Sequence, residues 1–119
     1  MAQTRSLTSE TVHELLANTR RRHLLSILNR SGTEPIDDLA LKIAARERNE
    51  PVERIDEESR QRIAVSLVHK HIPMLEDHDI VRYNSDTRSV ALMDVFDEIE
   101  HYMRQSTDET IFEKLIPGY

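Results

Sequence analysis

Apolar and polar residues recur along most of the chain with the 3.6-residue period of amphipathic helices. We expect four helices to begin at or just after residues suited to an N-cap: Thr8, Asn18, Asp37 and Asp56. The second should stop at Gly32 and the third near Asn49, followed by a charged, solvated connector. Glu34 and Pro35 predict a turn, after which Ile36 could pair as a short strand. The first half of the chain is therefore predicted to be mainly helical.

The hydrophobic period changes to two between residues 80 and 93. Residues 80–84 and 89–93 alternate like strands, and residues 85–88 supply turn residues, so a short β-hairpin is predicted. Pro73 lies inside the preceding helix, where it removes a backbone hydrogen bond and predicts a bend. The expected order is thus a long, bent helix followed directly by a hairpin.

The fourth helix divides into an apolar side and a polar side. The apolar side holds Ala64, Leu67, Val68, His71, Ile72 and Leu75. The polar side holds Ser59, Arg62, Ser66, His69, Lys70 and Pro73. Cations, hydroxyls and an imidazole on one helix face suit phosphate oxygens and base edges, so Arg62, Ser66, His69 and Lys70 are candidate DNA-reading residues. An ordinary solvated face is the alternative. We expect His71 to be a packed, hydrogen-bonded core residue.

Five further arginines are candidate phosphate contacts. Arg20, Arg21 and Arg22 follow the second N-cap, where positive charge opposes the helix dipole and so suggests a task for at least one of them. Solubility, or pairing with nearby glutamates, is the equal alternative. Arg82 and Arg88 lie on the predicted hairpin, within reach of a flanking phosphate or the minor groove, although exposed arginines there are often only solvated.

A last helix is predicted from residue 94 to residue 105. Its apolar side holds Val95, Phe96, Ile99, Tyr102 and Met103. A terminal helix of this kind favours a homodimer interface, and two-fold pairing would space two DNA-reading helices for successive half-sites. The alternative is that the helix folds back on its own domain. Asp94, Asp97, Glu98 and His101 have spacings open to metal ligation, but acidic helix faces produce such clusters by chance, and we expect no metal.

Composition excludes several classes of function. The chain has no cysteine, which excludes disulfides, thiolate nucleophiles and cysteine-ligated metals. It has only two glycines, Gly32 and Gly118, so it lacks a glycine-rich phosphate loop, and no motif suggests a catalytic set. No apolar run approaches the ~20 residues that span a bilayer, and the first residues lack a signal peptide's apolar segment. We expect a cytoplasmic protein that is not an enzyme and carries no cofactor.

Charge qualifies this interpretation. The chain has 22 acidic and 16 basic residues, a net charge of -6, and only three of the basic residues are lysines. Acidic, lysine-poor chains are typical of proteins from halophilic archaea with molar cytoplasmic salt, where screening is short-ranged. The net charges of residues 1–33, 34–58, 59–93 and 94–119 are +3, -5, +1 and -5. The predicted DNA-facing parts are thus the least acidic, and inorganic ions could be taken up at a DNA interface.

The order of these elements resembles the ArsR-like winged helix-turn-helix regulators. More closely, residues 15–28 (LLANTRRRHLLSIL), 37–44 (DDLALKIA) and 68–84 (VHKHIPMLEDHDIVRYN) look like a haloarchaeal family of small winged-helix proteins. The resemblance covers about residues 8–93 and implies a DNA-binding regulator that is usually dimeric. Asp79 departs from the glycine usual before the hydrophobic strand, but aspartate tolerates the left-handed conformation.

We therefore expect a mainly α fold with a small β-hairpin wing. Residues 8–93 would form a winged helix-turn-helix domain, and residues 94–119 a C-terminal dimerisation helix and tail. The expected function is a sequence-specific transcription regulator that binds double-stranded DNA as a homodimer. The alternative is a winged-helix module that binds another protein and no DNA; its binding surface should be richer in aromatic and aliphatic anchors.

Overall fold

The computed structural model describes residues 8–105, with side chains described as far as residue 100. The helices are α1 (Ser9–Leu16), α2 (Thr19–Ser31), α3 (Ile36–Arg48), α4 (Glu57–Ser66), α5 (Ile72–Glu76) and α6 (Val95–Gln105). The strands are β1 (Thr33–Pro35), β2 (Val81–Asn84) and β3 (Ser89–Leu92). A 3-10 turn, Val52–Arg54, precedes α4, and a π-helical turn, Leu67–His71, joins α4 to α5. This part of the chain is mainly helical with one small sheet.

Three of the four predicted helix starts are confirmed. The side chains of Thr8, Asn18 and Asp56 each accept a hydrogen bond from a backbone N–H in the first turn of α1, α2 and α4. The prediction for Asp37 is wrong, because α3 already begins at Ile36 and its N-cap, Pro35, makes no side-chain cap. Asp37 instead lies in the first turn, where its charge favours the helix dipole.

The sheet is antiparallel, with strand order β1-β3-β2. The predicted hairpin is confirmed within one residue at the ends of β2 and β3. The short strand expected at Ile36 lies instead at Thr33–Pro35, where Glu34 pairs with Val90. Gly32 ends α2 with a φ of 82°, and its carbonyl accepts from Leu92 N at 2.9 Å. The left-handed glycine thus turns the chain from α2 directly into the sheet.

One hydrophobic core joins all the helices to the sheet. Helix α4, the π-helical turn and α5 follow one another without a break and are called the helix 57–76 below. The core is built from the buried faces of α1, α2, α3 and the helix 57–76, from Ile80, Val81 and Val90, and from Phe96 and Ile99 of α6. Because the helix 57–76 is fixed to this core by Ile63, Leu67, Ile72 and Leu75, its opposite face is directed outward. Among residues 8–105, no helix is long and apolar enough to cross a membrane.

Candidate nucleic-acid interface

An exposed stripe runs along the helix 57–76. Arg62, Val65, His69 and Lys70 are all exposed on it, and Val65 exposes 57% of its surface. The stripe combines two cations, an imidazole and one aliphatic side chain. Phosphates and base edges can be met by the first three groups, and a thymine methyl can be met by the fourth. The sequence pattern identified Arg62, His69 and Lys70 but did not single out Val65.

Arg62 is paired on the same helix. Its Nη2 lies 2.8 Å from Glu58 Oε2, and both side chains are more than 70% exposed. A pair that is this exposed contributes little stability, so the guanidinium is not held in place by it. The arrangement nevertheless puts a carboxylate on the surface beside the first cation of the stripe.

Two serines assigned to the free face make hydrogen bonds within the chain. Ser59 is buried, and its hydroxyl donates to Asp56 Oδ1 at 2.8 Å and accepts from Arg48 Nη2 at 2.5 Å. The bond from the Ser59 hydroxyl, and next the bond from the Ser59 N–H, lower the pKa of Asp56. Ser59 therefore supports the N-cap of α4, and its expected place on the free face is wrong. Ser66 is half-buried, donates to Ile63 O and accepts from Arg20 Nη1 at 2.9 Å.

The arginine triplet at the start of α2 does not form an open phosphate clamp. Arg21 is only 6% exposed, so that prediction is wrong for this residue. Its guanidinium donates to Leu15 O at 2.8 Å and Glu14 O at 3.1 Å, and burial lowers its pKa. The Arg21 guanidinium therefore hydrogen-bonds the carbonyl groups at the end of α1 and links α1 to α2.

The other two arginines of the triplet are also engaged. Arg22 is half-buried and donates to the carbonyls of Leu16 and Ala17. Arg20 holds Glu47 through two bonds of 2.6 and 2.8 Å, and this carboxylate raises the Arg20 pKa. Arg20 is 30% exposed and is the one of the three that the structure pairs with a carboxylate, so a phosphate could take the place of Glu47 there.

A groove of about 370 Å³ lies between α3 and α4, next to the exposed stripe. Its polar lining is Arg20, Glu47, Arg48, Ser59 and Arg62. Arg48 donates to Ser59 and lies 3.4 Å from Asp56. Three guanidinium groups thus face one groove with a single carboxylate among its lining residues. Sequence reasoning missed Glu47 and Arg48 because the contact between α3 and α4 was not predictable from either helix alone.

The π-helical turn lies directly before Pro73. Ile72 N donates to Leu67 O, five residues back, instead of to the fourth residue back. Proline cannot donate, and its ring crowds the carbonyl four residues earlier in an α-helix, so a wider turn relieves that conflict. The predicted bend is therefore a local widening of the helix. His69 and Lys70 of this turn are exposed, and His71 is buried.

His71 is a core residue, as predicted. It is 3% exposed, and its Nδ1 lies 3.4 Å from Arg21 Nη1. Burial and the neighbouring Arg21 charge lower its pKa from 6.5 to about 4. The imidazole is consequently neutral at pH 7 and presents Nδ1 as an acceptor to the guanidinium.

The hairpin is fixed to the end of the long helix. Glu76 Oε2 accepts from Tyr83 N at 2.9 Å, and Ile80 N donates to Leu75 O at 3.0 Å. Asp79 adopts a φ of 59° at the turn between them, as its tolerance of the left-handed region allows. The loop between β2 and β3 is organised by Asn84 Oδ1, which accepts from Asp86 N and Thr87 N.

The two hairpin arginines differ in their surroundings. Arg82 is exposed on β2. Arg88 is 57% exposed, has a φ of 54°, and its Nη2 lies 3.4 Å from Asp37 Oδ1. Arg60 of α4 holds the same Asp37 oxygen at 2.7 Å. Arg88 is therefore partly directed toward α3, whereas Arg82 is the more available cation for a phosphate.

The expectation that α6 presents a free apolar face is wrong for two of its residues. Phe96 is 1% exposed and Ile99 is fully buried, both in the core of their own chain, and Val95 packs against that core. These side chains bring the first turns of α6 into the hydrophobic core of their own chain. The side chains of Tyr102 and Met103 lie outside the described residues. The described exposed residues of α6 are Asp97 and Glu98, and Asp94 precedes them.

The described residues form a small, mainly helical domain with a three-stranded antiparallel sheet. One long helix of this domain exposes a stripe of mixed, partly basic side chains. The chain belongs to the family described as a domain of unknown function, DUF7344, whose model matches residues 13–91. No curated protein matches the chain, and no solved structure matches it.

Proposed function

We propose that this chain is a winged-helix transcription regulator that reads DNA sequence with the exposed face of the helix 57–76. The observation that carries the proposal is the outward stripe of Arg62, Val65, His69 and Lys70 on a helix whose other face is anchored in the core. The major groove of B-DNA admits one α-helix, and the exposed side chains of this helix match the groups that bases present there.

The hairpin supports the same interpretation. It follows the helix after only a short turn and is tied to it through Glu76 and Tyr83. In the proposal β2 and β3 act as the wing, with Arg82 on the DNA backbone and Arg88 released from Asp37. Helix α3 precedes the reading helix and packs against it, as the first helix of a helix-turn-helix does. This arrangement is the one that the resemblance to ArsR-like regulators implies.

Phosphate contacts at the other side of the reading helix come from the groove between α3 and α4. Arg20 and Arg48 line it beside Arg62. A DNA phosphate there would take the place of the Glu47 carboxylate on Arg20, since both are oxygen anions suited to a two-point guanidinium bond. Arg21 and Arg22 are left out of the proposed contact because they serve the end of α1.

The proposal includes cations bound between protein and DNA, because Glu58 lies beside Arg62 on the exposed face of the helix. A carboxylate brought near DNA phosphates repels them unless a cation lies between the two. We therefore include cation uptake at the interface, in keeping with a high-salt cytoplasm. At such salt the counterion-release contribution to affinity is largely lost, and direct contacts must carry the binding.

Homodimerisation is part of the proposed function but not through Phe96 and Ile99. Two-fold pairing would place two reading helices on successive half-sites. Light scattering on the protein at ~2 M KCl, where surface charge is screened, tests it. A mass of one chain, 13.9 kDa, with or without operator DNA, contradicts the dimer and leaves single-site reading.

Fluorescence anisotropy tests DNA reading. The protein is titrated onto DNA from its own upstream region, and onto scrambled DNA, in ~2 M KCl. We expect specific binding that Arg62→Ala/Lys70→Ala weakens by at least about tenfold, because each base contact contributes roughly 1–3 kcal/mol. Arg54→Ala is the matched control, since Arg54 is exposed on the 3-10 turn, away from the stripe.

A protein-binding module is the second candidate, and exposed Val65 is the observation that favours it. An aliphatic anchor surrounded by polar groups is typical of a small protein interface. Absence of specific DNA binding by a folded protein, as judged by circular dichroism, would contradict the regulator and favour this module.

A further inference from the structure

A second cavity lies away from the reading face. It has a volume of about 290 Å³ and is bounded by the end of α2, by β1, by one face of α3 and by the 3-10 turn. The volume is close to the lower end of the range found for small-molecule sites. Arg46 and Glu47 are consecutive on α3, yet Arg46 lines this cavity and Glu47 lines the groove beside the reading helix.

The charged lining of the cavity is opposite in sign to the chain. Three cations, Arg30, Lys42 and Arg46, face one carboxylate, Glu34. Lys42 Nζ lies 2.9 Å from Glu34 Oε2, and Glu34 is only 5% exposed, so these two charges compensate each other. Counted over the lining residues alone, three cations and one carboxylate give a formal charge of +2, within a chain whose net charge is -6.

Arg46 is poorly compensated in this position. Its Nη1 donates to the neutral hydroxyl of Ser26 at 3.1 Å. Burial and the nearby Arg30 both lower the pKa of Arg46. A guanidinium that has lost water and faces a second positive charge is stabilised by an anion placed between them.

The remaining walls are apolar. Ile27 is buried at the back of the cavity, Ala45 forms one side, and Val52 is 38% exposed at the rim. An inorganic anion would leave this apolar surface in contact with water. A ligand that carries both an anionic group and a short hydrocarbon part would cover the surface and meet the two guanidinium groups together.

We propose that this cavity binds a small organic anion, with its carboxylate or equivalent oxyanion on Arg30 and Arg46 and its apolar part against Ile27, Ala45 and Val52. The site does not depend on DNA binding. It requires only the contacts among α2, β1, α3 and the 3-10 turn.

Three probes separate the two halves of the proposed recognition. Hexanoate has both an anionic group and an apolar tail, hexylammonium has the same tail with the opposite charge, and inorganic phosphate has the charge without a tail. Each is titrated into the full ¹⁵N-labelled chain in ~2 M KCl, where non-specific ionic attraction is screened. Amide resonances of residues 27–34, 42–46 and 52 report on the site.

We expect hexanoate to shift these resonances with a dissociation constant of about 1–10 mM, as suits a ligand of this size. Hexylammonium should leave them in place, and phosphate should bind at least about tenfold more weakly than hexanoate. Equal binding of hexanoate and hexylammonium would overturn the role of the arginines. Equal binding of phosphate and hexanoate would overturn the apolar part, and unchanged resonances with hexanoate would overturn the site.

Two variants change the site in different ways. Arg46→Gln removes one guanidinium and should weaken hexanoate binding about tenfold. Val52→Glu puts a carboxylate at the exposed rim and should weaken it similarly without touching the core. Arg54→Gln, on the same 3-10 turn but outside the cavity, should bind hexanoate like the unchanged chain. If Arg46→Gln fails to fold, Val52→Glu decides, and unchanged hexanoate affinity in Val52→Glu overturns the proposal.

Discussion

The Arg21 guanidinium and the His71 imidazole meet in the core, 50 positions apart in sequence, with Nη1 and Nδ1 separated by 3.4 Å. A protonated imidazole in this position would put two positive charges side by side without water. The contact therefore favours the neutral form of His71 and joins the start of α2 to the π-helical turn of the helix 57–76.

Stability should fall as the pH drops through the window between the two pKa values of His71. The unfolded histidine takes up a proton near pH 6.5, whereas the folded one takes it up only near pH 4. Between these values the unfolded state binds more protons, so stability rises with pH there, by on the order of 2–3 kcal/mol in total.

Urea unfolding at several pH values measures the effect. His71→Asn keeps an acceptor for Arg21 but does not titrate, so its stability should change less than that of the unchanged chain between pH 6.5 and 4. Parallel curves for the two proteins would contradict the assignment. Carboxylates such as Asp56 contribute equally to both proteins and cancel in the difference.

Truncation of Phe96 should destabilise the single chain. Phe96→Ala removes a fully packed ring from the core and should lower the free energy of unfolding by about 3–5 kcal/mol. Asp97→Ala, its exposed neighbour, should change it by less than about 0.5 kcal/mol. Denaturant unfolding at several protein concentrations checks both values. A loss seen only as weaker self-association, with an unchanged monomer, would show instead that Phe96 faces another copy.

Val65 should read thymine methyl groups if the helix 57–76 enters the major groove. Operator DNA with deoxyuridine in place of thymine lacks those methyl groups and should bind the unchanged chain about threefold to fivefold more weakly, as expected for one buried methyl. For Val65→Ala, the two DNAs should bind with similar affinity. Anisotropy titrations measure all four constants, and equal affinity of the unchanged chain for both DNAs would remove Val65 from the interface.

Glu58 should govern the response of DNA binding to salt. With Glu58 in place we expect affinity to change little as KCl rises, because cations taken up beside the carboxylate offset those released from DNA. Glu58→Gln should bind more tightly at low salt, and its plot of log affinity against log KCl should fall more steeply, by up to about one unit of slope. Glu53→Gln, exposed on the 3-10 turn, is the matched control. Identical slopes for Glu58→Gln and the unchanged chain would contradict ion uptake at this residue.

Local signals in the sequence predicted most of the fold. Caps such as Asn18 and Asp56, the stop at Gly32 and the alternation that makes the hairpin all act within a few residues. Asp37 was misleading because Pro35, whose ring fixes φ, takes the extended N-cap conformation directly before Ile36, so the helix begins one residue before the expected cap.

The candidate site was less predictable because its residues depend on distant partners. Arginine side chains are usually exposed, and the burial of Arg21 is made favourable by the carbonyl groups at the end of α1. A 3.6-residue repeat also placed Ser59 on the face of Arg62, but Ser59 is buried in hydrogen bonds with Asp56 and Arg48. Glu47 reaches Arg20 through the packing of α2 on α3, which no single segment encodes.

Because α6 packs into the core, the hydrophobic core extends beyond the residues that the family model matches. Sequence similarity to the family extends over residues 13–91, but the interior also needs Val12 before that stretch and Phe96 and Ile99 after it. A fragment cut to residues 13–91 would expose the surfaces that these three side chains cover, and we expect it to aggregate or fail to fold. We therefore expect the smallest autonomously folding unit to begin at the Thr8 cap and to include at least the first turns of α6.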